Sequence, residues 1–222
     1  MAALKDLFQR CTGIRPTDYP QFMILGLDKA GKTTLLYRLR LSSWPSMQRD
    51  MEALRTPDAN GIVKDAGYHY EDITRALFPF GCWEIPGTTS MRHLWPNFYR
   101  AIKIHCVIFV VSVDEGDERI ELATKNLHFL MNEDELRQAC FCVIVNQRVV
   151  NGKKIYNTED NEMFYRLGLH NLHPSCAWRT DYFVIDVLKI WSDAESEKEW
   201  RRLMEHARNV LKDERGYGLK GF

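Results

Sequence analysis

The chemistry of this chain is concentrated in eight consecutive residues, Gly26-Leu27-Asp28-Lys29-Ala30-Gly31-Lys32-Thr33. Glycines at the first and sixth positions let the backbone curl until successive N–H groups face one anion. A helix beginning at the following lysine adds the positive end of its dipole. The Lys32 ammonium can then reach the outer phosphates of a bound polyphosphate, and the Thr33 hydroxyl can ligate Mg²⁺. An apolar run, Phe22 to Leu25, precedes the motif and a helical pattern, Lys32 to Leu41, follows it. Asp28, Lys29, Ala30, Gly31, Lys32, Thr33 and Thr34 are therefore the candidate phosphate-binding residues, with Thr33 as a metal ligand. The bland alternative is a tight turn with no ligand.

The elements that must position this motif are those of an α/β protein. His105 to Ser112 and Phe141 to Val145 are nearly continuous apolar runs, as expected of strands buried on both faces of a parallel sheet. Tyr182 to Leu188 reads as a further strand. Tyr68 to Ile73 and Leu77 to Trp83 read as an antiparallel edge hairpin, which Pro79 weakens or bulges. Asp117 to Met131 reads as a helix, and Trp200, Leu203, Met204, Ala207, Val210 and Leu211 form a stripe that docks a terminal helix on the sheet. Strands alternating with helices predict a mostly parallel central sheet with helices on both faces.

Composition narrows the function. The 222 residues carry 30 Lys plus Arg against 30 Asp plus Glu, which argues against a nucleic-acid partner. No apolar run approaches the ~20 residues of a membrane-spanning helix. Six cysteines occur without a CxxC pair, so a disulfide framework is not expected. Cys140 and Cys142 alternate on one face of a strand and read as core packing rather than metal ligands. His170, His173 and Cys176 lack a fourth partner at zinc-finger spacing and read as loop residues.

The letters around the phosphate motif carry a resemblance. GLDKAGKTTLLYRL is similar to the phosphate loop of the Arf/Sar family of small GTPases, and the similarity continues from Asp65 to Val149 through Gly67, Glu71, Trp83, Gly87, Arg92, Leu94 and Trp95. VIFVVSVDEGDERI and LGLH also match. The resemblance implies a P-loop small-GTPase G domain, GTP or GDP as ligand (ATP as the alternative) and Mg²⁺ as cofactor. It places the G domain at 19–213 with an insertion at 42–64, while the residues outside it read as an amphipathic helix at 1–18 and a flexible tail at 214–222.

Against that family the chain departs at three places. Glu84-Ile85-Pro86-Gly87-Thr88 stands where the family has DVGGQ. Gly87 matches the glycine whose N–H meets the γ-phosphate, while Thr88 replaces the glutamine that orients the attacking water. Threonine is too short and lacks the amide's paired donor and acceptor, so hydrolysis is expected to be impaired and no catalytic residue is assigned. Asp65 replaces the first-switch threonine; with Glu84 it is a candidate for the Mg²⁺ shell. Asn146-Gln147-Arg148-Val149 replaces the guanine-reading NKxD, keeping Asn146 and losing the aspartate to Val149. Asn146, Arg148 and Leu188 are candidate nucleotide contacts, and Asp186-Val187-Leu188-Lys189 resembles the Sar base loop, with backbone donors.

Three functions follow. The first is an Arf-like nucleotide-binding protein with an intact phosphate loop and impaired hydrolysis, acting through protein contacts. The second is a pseudo-GTPase scaffold subunit with structural or no nucleotide. The third is a P-loop small-molecule kinase, for which no acceptor constellation is visible. Protein partners are expected at the 42–64 insertion, the switch regions and the N-terminal helix. That helix, with Leu4, Leu7, Phe8 and Cys11 on one face, docks on its own core, on a partner groove or peripherally on a membrane. Ala2 excludes myristoylation at residue 2. The expected location is cytoplasmic or peripheral to an intracellular membrane, with a mitochondrial or other organellar assembly as the alternative; Asp6 counts against a cleaved leader.

Overall fold

A computed structural model describes residues 19–40, 67–74, 76–113, 116–147, 149–150, 153–154 and 161–213. The helix expected at 1–18, the 42–64 insertion, Asp65, Arg148 and the 214–222 tail lie outside the described residues.

The elements run β1 (Gln21–Leu25), α1 (Lys32–Arg40), β2 (His69–Ile73), β3 (Phe80–Glu84), α2 (Thr89–Arg92), α3 (Trp95–Ala101) and β4 (Cys106–Ser112). They continue through α4 (Asp117–Met131), β5 (Cys140–Asn146), β6 (Val149–Val150), β7 (Lys153–Lys154), α5 (Glu162–Arg166), α6 (Pro174–Ala177), β8 (Thr180–Ile185) and α7 (Ala194–Asp213). Six strands form one sheet in the order β2-β3-β1-β4-β5-β8. All pairs are parallel except β2 with β3, so the expected edge hairpin is present.

β4 and β5 show why the apolar runs are unbroken. Val107, Phe109 and Val111 face a core built with α3 and α4, whereas Cys106, Ile108 and Val110 face one built with α1 and α7. A strand covered on both sides has no polar alternation to display. Each fully buried Ile or Phe contributes roughly 1.5–3 kcal/mol, which makes these central strands the main source of stability. The terminal stripe behaves as expected: Trp200, Leu203, Met204, Ala207, Val210 and Leu211 are all buried against the sheet.

Some boundaries differ from the sequence reading. β3 begins at Phe80, directly after Pro79, because proline has no N–H to give the ladder; there is no bulge within the strand. β8 runs Thr180–Ile185, two residues earlier than expected, and Asp186 to Leu188 belong to a loop. His170 and His173 are not in plain loop: the first lies in a 3₁₀ turn at Leu169–Asn171, and the second caps α6, its side chain accepting from the Ser175 N–H. Cys176 is buried in the core. The short ladder β6–β7 escaped the sequence reading, its strands being two residues each. Among the described residues no helix is long and apolar enough to cross a membrane.

Candidate functional site

β1 ends at Leu25 and α1 begins at Lys32, and the six residues between them turn the chain through positive φ at Gly26, Lys29 and Gly31. Gly31, at φ +104°, is held to glycine twice over, since a Cβ there would also stand 2.5 Å from the Asn146 Nδ2. The Leu35 N–H donates to the Gly31 carbonyl at 2.9 Å and starts the helix. Lys32 is buried, its Nζ donating to the Leu27 carbonyl at 2.8 Å across the loop. Lys29, Gly31, Lys32, Thr33 and Thr34 line a cleft of about 670 Å³, which Asn146 and the base loop share.

The phosphate loop is braced from outside. The Asp28 carbonyl accepts from Arg119 Nη2 at 2.7 Å, tying the loop to α4. The Asp28 N–H donates to the Gly87 carbonyl at 3.2 Å. Gly87 packs so closely on this loop that a Cβ would fall 2.0 Å from the Gly26 oxygen. Arg92 Nη1 donates to the same Gly87 carbonyl at 2.9 Å, and the Trp95 indole donates to the Pro86 carbonyl at 3.0 Å. The loop Pro86 to Thr88 is thus held from three sides. Thr88 itself is exposed, its hydroxyl 3.2 Å from that of Ser90 and its carbonyl accepting from the first turns of α2.

Glu84 ends β3 and is buried, with Oε2 at 2.7 Å from His69 Nδ1 on the neighbouring strand. Register explains the pair: His69 lies directly opposite Glu84 in the β2–β3 ladder.

The base end of the cleft is a different construction. Asn146 ends β5 as a strut, its Nδ2 donating to the Ala30 carbonyl at 2.9 Å and its Oδ1 accepting from the Val187 N–H at 3.3 Å. The loop after β8 was expected to present backbone donors to the base. In this structure its N–H groups meet acceptors within the protein: Asp186 to Ser196 Oγ at 3.1 Å, Val187 to Asn146, Leu188 to Asp186 Oδ1 at 3.0 Å, and Lys189 to the Asp186 carbonyl at 2.9 Å. Asp186 is buried and puts a carboxylate on the cleft wall, and exposed Leu188 forms its rim. Buried Arg38, on α1, has its guanidinium pulled down by burial while nearby Asp186 acts in the opposite sense. Val149, in the position of the lost aspartate, pairs with Lys154 in the β6–β7 ladder.

The geometry therefore brings together Lys29, Gly31, Lys32, Thr33, Thr34, Asn146 and Leu188, with Gly87 packed against the loop at Gly26 to Asp28. Asp65 and Arg148 lie outside the described residues. Arg119, Ser196 and the carboxylate of Asp186 were missed by sequence reasoning. No spacing marks Arg119 or Ser196, but an acid in place of the family's small residue at Asp186 was a visible signal.

A profile of the ADP-ribosylation factor family matches residues 14–188 of the 222. Among solved structures, the Arl6 BBS3 small GTPase from Trypanosoma brucei, determined with the nucleotide analogue GppNp, superposes with a TM-score of 0.61 at 20% identity over 86% of this chain and 98% of that one. That likeness is one of fold. With the family profile spanning the phosphate loop, the switch loop, Asn146 and the loop after β8, the chain belongs to the ADP-ribosylation factor family of small GTPases.

Proposed function

We propose that this chain grips a guanine nucleotide mainly by its phosphates, hydrolyses it slowly or not at all, and acts through the proteins it contacts. The observation that carries this reading is the contrast within one cleft: a complete phosphate loop with Lys32 folded over it, and a switch loop ending in exposed Thr88. Phosphoryl transfer depends on positioning water and stabilising charge, and Thr88 has neither the reach nor the paired donor and acceptor of a glutamine.

Mg²⁺ suits the donors present, which are hard oxygens: the Thr33 hydroxyl on the cleft wall and the Glu84 carboxylate at the end of β3. These residues would hold the ion, which would neutralise charge on the outer phosphates. Glu84 keeps one oxygen on His69, so the strand ladder orients it.

A second reading, a scaffold subunit that keeps nucleotide only as a structural ligand, is favoured by the bracing of Pro86 and Gly87 by Arg92, Trp95 and Asp28. A switch needs two arrangements of this loop, and each of these bonds favours one. Partner contacts are assigned to the 42–64 insertion and the switch regions, with the 1–18 segment available to a partner or a membrane surface.

The test is to purify the protein, identify extracted nucleotide by its base, then load GTP and follow a single turnover. Bound guanine nucleotide with negligible hydrolysis supports the reading. Release of phosphate at the rate of a small GTPase with an intact glutamine would overturn it, and a protein that arrives empty and binds no added nucleotide would favour the bare scaffold.

A further inference from the structure

Away from the nucleotide cleft, three thiols meet in the core. Cys106 opens β4 and lies directly beside Cys140, which opens β5; Cys142 follows two residues later on the same face. Their sulfurs all lie within 4.8 Å of one another, with Cys142 Sγ at 3.8 Å from both Cys106 Sγ and Cys140 Sγ. A Zn–S bond of ~2.3 Å in a tetrahedron sets neighbouring sulfurs ~3.8 Å apart. Two of the three sulfur pairs therefore already stand at the separation that a shared metal would impose, and the third lies within 4.8 Å.

A second observation comes from the helix above. His206, on α7, has its Nε2 buried with no hydrogen-bond partner. Its imidazole is partly desolvated by burial, and the Cys140 thiol and Arg179 backbone are near enough to act on its charge. Its ring nitrogens lie outside the set of donor atoms that fall within 4.8 Å of one another, so the fourth bond calls for a movement of the His206 side chain. A core filled only for packing gains nothing from an unpartnered imidazole nitrogen here; an unmet buried nitrogen costs about 1–3 kcal/mol.

We propose that Cys106, Cys140, Cys142 and His206 form a structural Zn²⁺ site that ties β4 and β5 to α7. The donor set is three sulfurs and one nitrogen, a closed tetrahedral set with no position left for substrate. On binding, the thiols release their protons to solvent and the metal takes the thiolates. Since the sulfurs are fully buried, the metal enters as the chain folds rather than afterwards. The site is independent of the nucleotide cleft, from which none of its residues comes.

The full chain, expressed without chelator and passed through EDTA, should retain one Zn²⁺ by elemental analysis. Refolded with Co²⁺, it should show the intense visible bands of tetrahedral thiolate-bound cobalt. Cys142→Ser should abolish those bands, and His206→Ala should weaken affinity by roughly tenfold or more. Lys32→Ala, which empties the phosphate loop, should leave the metal in place and so separates this site from the nucleotide. Absence of Zn²⁺ together with a featureless cobalt spectrum would overturn the proposal, as would undiminished metal in Cys142→Ser. If Cys142→Ser fails to fold, the wild-type chain decides: refolding with Zn²⁺ should raise its thermal midpoint over refolding with chelator, and identical midpoints would refute the site.

Discussion

The two ends of the cleft were built to different standards. At the phosphate end, Gly26, Lys29 and Gly31 hold strained or left-handed backbone, Lys32 is folded over the loop, and Arg119 braces it from α4. At the base end the loop after β8 is just as well ordered, but its N–H groups are turned inward, onto Ser196, Asn146 and Asp186. The difference teaches that order alone does not make a binding site. A donor already satisfied by the protein gains less from an arriving ligand than one that waits for it, and in this structure the donors of the loop meet protein acceptors. Asn146 belongs to both ends and serves both as a strut between Ala30 and Val187.

Substitutions sharpen this contrast. Lys32→Ala removes the buried ammonium folded over the loop, and nucleotide retention measured by extraction should fall roughly a hundredfold or more. Unchanged retention would mean the phosphate end does not govern binding. Gly31→Ala forces a side chain into positive φ and against Asn146, and should cost about 3 kcal/mol of stability in denaturant unfolding while also loosening the strut. A variant as stable as wild type would show that the loop is less constrained than its geometry indicates.

The framework shared by both ends has its own weak point in His105. Its Nδ1 accepts the Gln21 N–H at 2.9 Å, at the start of β1, and a protonated ring could not. Burial, helped by Lys103, holds the imidazole down at about 4 from its ordinary 6.5. Between those values the unfolded chain binds the proton and the folded chain does not. Stability is therefore full above pH ~6.5 and falls toward pH ~4, by up to about 3 kcal/mol. Denaturant midpoints measured across that window should fall for wild type and stay flatter for His105→Asn; parallel profiles would remove His105 from the explanation. The smallest change is a gain: Val149→Asp, restoring the family's base-reading acid, should raise preference for guanine over adenine nucleotide by about 1–3 kcal/mol in competition. No gain would mean that the β6–β7 ladder holds position 149 away from the base.

How much of this was legible beforehand depends on what kind of interaction carried it. Unbroken apolar runs such as Cys106 to Ser112 reveal buried parallel strands because burial on both faces suppresses alternation. The phosphate loop was legible because its glycines and lysine answer to local backbone geometry. The end of β8 was misjudged because Val187 and Leu188 are apolar, yet the strand stops when Asp186 turns to cap the Leu188 N–H. The commitment of the base loop's donors depends on Ser196 of α7, ten residues beyond Asp186 and in another element, and no local pattern announces such a bond. Likewise the convergence of Cys106 on Cys140 and Cys142 needs the β4–β5 register, which only the assembled sheet supplies.

The claim that this protein holds phosphates firmly and its base weakly is tested most directly by one competition titration. A fluorescent guanine nucleotide bound to the wild-type chain in Mg²⁺ is displaced in turn by GDP and ADP. Affinities within about tenfold of each other, a difference near 1.4 kcal/mol, are what the spent donors of the base loop predict. A preference for GDP beyond roughly a hundredfold would show that the base is read after all and contradict the claim.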